Sequence, residues 1–184
     1  MGWFRGILLL IVLTGAVGLV WTYSGAQPVA ADAPHHPVIA WVLSTARERS
    51  VARRAEEVEA ALPTLDGDDL LEAVAGYEEM CAVCHFPPGR PPTALSRGLN
   101  PPAPFLGGLE NGRSIEELFW VTKHGLRMTG MPAWGPTHED EELWALVALI
   151  EAFPRFGPGE YDDLLAAARE RGIDHDHANQ HEHD

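Results

Sequence analysis

The first stretch, from Trp3 to Tyr23, is apolar almost throughout. As a helix it reaches about 30 Å, enough to cross a bilayer, and Trp3 at one end with Trp21 and Tyr23 at the other suits the two interfaces. Residues 25–37 read as a linker, because Gln27-Pro28 and Ala33-Pro34 end regular structure. From Val38 to about Leu62 one or two helices are expected. Val38, Trp41 and Val42 form an apolar stripe, residues 50–58 add a polar face, and Pro63 closes the segment. We read this stretch as a spacer helix. The next helix starts near Asp68, which can cap it, and places Leu70, Leu71, Val74, Tyr77 and Met80 or Cys81 inward, with Ala73 and Tyr77 on one face. Residues 86–108 are rich in Pro and Gly and read as an ordered wrap in which Leu99, Phe105 and Leu106 form walls. Ser114 and Glu117 form a capping box for a helix through Leu118, Phe119 and Thr122 that stops at Gly125. Thr137 to Asp140 reads as a second box, opening a helix with Leu143, Trp144, Leu146, Val147, Ile150 and Phe153 on a buried face and Pro154 at its end. Trp144 is expected in the core. A short acidic helix over Glu160–Arg171, with Tyr161, Leu164, Leu165 and Ala168 on one face, stops at Gly172. The class is all-α, in four parts: 1–24 transmembrane anchor or signal sequence, 25–67 linker and helical spacer, 68–155 the main domain, 156–184 an acidic helix and His-rich tail.

Charge narrows the partners. A net charge of −14 excludes a basic nucleic-acid footprint, and docking on anionic lipid through a basic patch. Its simplest consequence is solubility, with a basic partner surface as the other use. Arg5 is the only basic residue before Arg47, so the N-terminus is expected to stay inside. A cleaved signal peptide is the alternative, since Val29-Ala30-Ala31 and Ala31-Asp32-Ala33 resemble small-residue cleavage sites. Either way the remaining chain is exported.

The chemistry concentrates in Cys81-Ala82-Val83-Cys84-His85. This spacing reads as c-type haem attachment, with two thioethers on one porphyrin edge and the adjacent imidazole as proximal iron ligand. A zinc knuckle would need a second ligand pair, and Cys81 and Cys84 are the only cysteines. A redox dithiol would need no following His and would sit in a βαβ pattern. For the sixth iron position Met131, in Thr129-Gly130-Met131-Pro132-Ala133-Trp134, is the best candidate; Met128 is its rival, with His124 or an open site behind. His124 and Arg127 lie between helix and Met loop, where they would bond a haem propionate or face solvent. His35 and His36 in the linker read as solvated rather than metal-binding. His175, His177, His181 and His183, among acidic residues, would bind copper, nickel or zinc weakly or form a polar tail.

With Cys-Ala-Val-Cys-His followed by Thr-Gly-Met-Pro-Ala-Trp-Gly and the helix at Glu142, the chain resembles a class I c-type cytochrome, more narrowly the membrane-anchored bacterial monohaem type, over about residues 68–155. Two positions depart from the family: Phe86 after the haem His and Ala73 in the first helix are often Gly there. The resemblance implies one covalently attached haem c, a proline carbonyl (Pro101 or Pro102) that holds His85, and Trp134 of the Met loop at the haem. It implies attachment outside the cytoplasm, hence a single-pass protein of the inner membrane with its haem domain facing the periplasm. It further implies a one-electron carrier between redox proteins such as a quinol-oxidising complex and a terminal oxidase or reductase. Three other readings stand beside it: a fixed electron-transfer subunit of a dehydrogenase or oxidase, a haem enzyme or gas sensor with an open sixth site, and metal delivery through the His-rich tail.

Overall fold

The computed structural model describes residues 2–108 and 112–173. Every regular element among them is helical. The chain divides into two compact units, Met1–His35 and His36–Asp184.

The first unit is helix α1, Gly2–Tyr23, followed by an irregular segment. It is long and apolar enough to cross a membrane. Thr14 and Thr22 return their hydroxyls to the carbonyls of Leu10 and Gly18 at 2.8 Å, so neither leaves a polar hydrogen unsatisfied in hydrocarbon.

The second unit holds the core. Helix α2 is Pro37–Ala55. Proline at its first position and the His36 ring, which accepts from the Val38 N–H at 3.3 Å, start it. His36 is therefore a cap. Two features depart from the expected spacer. The helix ends at Ala55 rather than near Leu62, and it packs on helix α5, Ile115–His124, through the buried pair Val51 and Ala55. The stripe of Val38, Trp41 and Val42 stays exposed, because no described element covers that end; the helix buries its later turns instead.

Helix α3 is Gly67–Met80, capped at Asp66 rather than Asp68. Its face of Ala73, Val74 and Tyr77 packs on helix α6, Asp140–Ala152. Tyr77 is fully buried and meets Phe153 edge-on at 4.8 Å. A short helix α4, Ala94–Gly98, lies in the proline-rich wrap. Helix α5 opens on the Ser114–Glu117 capping box and ends at Gly125. Helix α6 begins later than expected: its box is Glu139 with Glu142, while Thr137 donates to the Trp134 carbonyl. Phe119 stacks on Trp144 at 4.2 Å between α5 and α6, which places Trp144 in the core.

Helix α7, Glu160–Glu170, sits outside the domain that the sequence delimits, yet it is core. Tyr161, Leu165 and Ala168 are buried against α3. Arg90 fastens this packing. It grips both Glu78 oxygens on α3 at 2.8 Å and Asp162 on α7, also at 2.8 Å, and its guanidinium lies 5.2 Å over the Tyr161 ring. Such a charge-assisted, two-sided grip fixes direction as well as distance. The His-rich tail, residues 174–184, lies outside the described residues.

Candidate functional site

α3 ends where the chemistry begins. The N–H groups of Cys81 and Ala82 both bond the Tyr77 carbonyl at 2.9 Å, and those of Cys84 and His85 bond Cys81 at 3.0 and 2.7 Å. This tightened turn carries Cys81, Cys84 and His85 onto one cavity wall. Tyr77 closes the turn from inside by donating its hydroxyl to the His85 carbonyl at 2.5 Å. Burial holds that hydroxyl protonated far above the ordinary range, with Cys81 adding to the effect.

Cys81 does not have the character of a reactive thiol. Burial, with a smaller push from Cys84, drives the Cys81 thiol up to about 12. A redox-active thiol is shifted the other way. His85 is suited to metal: burial lowers its pKa against the opposing effect of its bond to Pro104, so the neutral ring is favoured. Its Nδ1 lies 2.8 Å from the Pro104 carbonyl. Donation there fixes the tautomer and leaves Nε2 bare for a metal. The proline that holds His85 is therefore Pro104, not Pro101 or Pro102. Those two line the cavity too, but the wrap has to run two or three residues further before a proline carbonyl meets the ring.

The cavity measures about 730 Å³, well within the ~300–1,000 Å³ typical of small-molecule and cofactor sites. Most of its wall is apolar, with Leu99, Leu106, Leu118, Val121, Leu146 and Ile150 among the lining residues. Leu99 and Leu106 are walls as expected from the wrap. Phe105 is not: it is exposed and stacks on Phe86 at 5.2 Å.

Met131 lines the cavity, whereas Met128 is 87% exposed and does not. The loop geometry explains the difference. Gly125 turns the chain at φ 64, and a side chain there would meet the Pro132 backbone at 2.6 Å, so the loop returns directly against the helix end. The Leu126 N–H bonds the Met131 carbonyl at 3.1 Å, and the Thr129 hydroxyl accepts from the Met131 N–H, also at 3.1 Å. Met128 takes φ 60 at the outward tip. Arg127 shares that tip, is exposed and does not line the cavity, in keeping with the solvent-facing of its two readings. His124 is exposed beside Trp120, 4.9 Å between ring centroids.

Trp134 lines the cavity and has a support that is invisible in the sequence. Buried His138 meets it edge-on at 5.4 Å and contacts its carbonyl through Nδ1 at 3.2 Å. α2 supplies the other unforeseen part: Arg47, Glu48, Arg49 and Ala52 form one cavity wall. The sequence carried a signal for it, since Val51, Ala55 and Val58 continue an apolar spacing that a free spacer does not require.

The residues fit a haem. A buried and a half-buried cysteine, an imidazole favoured neutral with an oriented tautomer, and a thioether face one apolar cavity, and haem attachment uses those groups. Comparison with known families agrees: residues 68–150 match the family described as cytochrome C oxidase, cbb3-type, subunit III. No curated protein and no solved structure matches the chain.

Proposed function

Residues 68–150 are a c-type cytochrome domain that carries covalently attached haem c, and from that premise we propose that the chain carries single electrons between membrane redox partners on the periplasmic side. One haem is held. Cys81 and Cys84 would hold it through thioethers, and His85 and Met131 would supply its iron ligands. The haem supplies an iron that cycles between two oxidation states.

The protein's own residues set the conditions for that cycle. Pro104 and Tyr77 lock the His85 ring and its backbone. The Gly125 turn delivers the Met131 sulfur to the cavity, where a soft thioether favours the reduced state and raises the potential. The apolar walls exclude water. Two protein ligands at the iron would leave no open position there for substrate chemistry. Transfer then passes through a small, transient contact, and an apolar N-terminal helix that confines the domain to a membrane raises its effective concentration there.

The observation that carries this reading is the placement of His85 and Met131 on a single cavity with Met128 outside it. Visible spectra of the purified protein in both oxidation states test it. The ferric form should show the long-wavelength Met–iron band and the ferrous form should not bind CO. Met131→Ala should abolish the band, lower the potential and admit CO, while Met128→Ala should change none of these. An unaltered Met131→Ala spectrum would remove Met131 from the iron.

A second reading is favoured by the matched family, whose description is that of an oxidase subunit: the chain is a fixed electron-transfer subunit of an oxidase or dehydrogenase complex. Mild detergent extraction separates the two. A subunit co-purifies with other chains at constant stoichiometry, and a carrier runs alone.

A further inference from the structure

The cavity holds its charge in one place. Apart from the cysteines and His85, its ionisable lining residues are Arg47, Glu48 and Arg49 on α2 with Arg113 and Glu117 near the start of α5. Three arginines thus gather at one cavity of a chain whose net charge is −14.

Their bonding divides them. Glu48 sits between Arg47 and Arg113, accepting from Arg47 Nε at 2.8 Å and from Arg113 at 2.6 Å. Glu117 is occupied by the Ser114 N–H of the capping box. Arg49 makes no ion pair among the described residues. One carboxylate therefore orients two guanidiniums and a third stays uncommitted.

The position of this group is as informative as its charge. α2 packs on α5 and makes no contact with α3, the helix that ends at Cys81. The arginines and the thiol pair accordingly stand on separate walls. A haem fixed by its vinyl-derived edge at the cysteines presents its two carboxylates away from that edge. Arg127, the sequence-based candidate for them, does not line the cavity, whereas Arg49 does.

We propose that Arg49, with Arg47 and Arg113 held in place by Glu48, binds the haem propionates, so that α2, which lies outside the matched residues 68–150, is a working wall of the haem pocket. This rests on the reading of the cavity as the haem site. Arg49 is exposed yet lines the cavity mouth, and its planar guanidinium fork suits a carboxylate. Positive charge at the propionates disfavours the ferric form, so these arginines raise the potential. They are positioning and tuning residues and leave iron ligation to His85 and Met131.

The test uses the full-length, detergent-purified holoprotein. Arg49→Gln and the pair Arg47→Gln with Arg113→Gln are compared with Arg53→Gln, an equal charge change on the same helix but off the cavity. Midpoint potential and the propionate bending bands in resonance Raman spectra are read at constant pH. The cavity variants should lower the potential more than Arg53→Gln does and should displace the propionate bands, with the Met–iron band retained. Arg49→Lys should restore most of the potential. Equal shifts from Arg49→Gln and Arg53→Gln, or propionate bands unmoved in every cavity variant, overturn the assignment. Wild-type protein without covalent haem would overturn the underlying reading of the cavity as well.

Discussion

Tyr77 shows how much a single side chain can hold. Its ring fills the core between α3 and α6, and its hydroxyl reaches the carbonyl of His85. Tyr77→Phe keeps the packing and strands a carbonyl at the end of the attachment turn. We expect a loss of about 1–3 kcal/mol, the usual cost of an unsatisfied buried acceptor, measured as a lowered denaturation midpoint with the haem still attached. At this scale the site was largely legible. The residues singled out from local sequence, Cys81, Cys84, His85 and Met131, line one cavity, and Met128 does not. Pro104 was not legible, because which carbonyl reaches a ring depends on the path of the wrap. His138 was hidden for the same reason: its contact with Trp134 arises from a turn whose geometry the residue types do not fix.

Among the elements, α7 is the clearest case where a local reading falls short. Its apolar positions were visible as a face, but nothing in residues 156–173 says which surface that face covers. The answer is α3, through Tyr161, which donates its hydroxyl to Glu78 at 3.0 Å and meets Tyr77 and Phe153 edge-on at 6.0 Å. Tyr161→Ala should cost roughly 3–5 kcal/mol, as for other large buried aromatics, seen as a lower thermal midpoint while the Met–iron band persists below the transition. α2 teaches the converse. Its most apolar turn, Val38 to Leu43, is exposed, and its arginine-rich turns pack near the haem cavity. Hydrophobic density alone pointed to the wrong end, since the spacing of Val51 and Ala55 decides which face is covered.

For the molecule as a whole, the division at His35 and His36 carries a prediction. Residues 36–184, exported behind a cleavable leader, should form a water-soluble haem protein whose spectrum and potential equal those of the detergent-purified full chain. Residues 68–155, the boundaries suggested by the sequence, lack both α2 and α7. They should give a protein with a lower denaturation midpoint, a lowered potential and water admitted to the cavity. Spectra and redox titrations of the two fragments side by side check this; matching potentials would show that α2 is dispensable. The all-helical class, the apolar first helix and the cytochrome domain were readable because each rests on periodicity or a fixed motif. The true edges of the folded body were not, because they depend on contacts between distant stretches.

The grip of Arg90 on Glu78 and Asp162 has an implication for speed. A guanidinium clamped by carboxylates from two different helices braces the segment just beyond His85. The expected consequence, when charge arrives at a haem bound there, is a small rearrangement of the surrounding atoms. A scaffold that stands still while its centre changes valence lets an electron hop without first waiting for the frame to move.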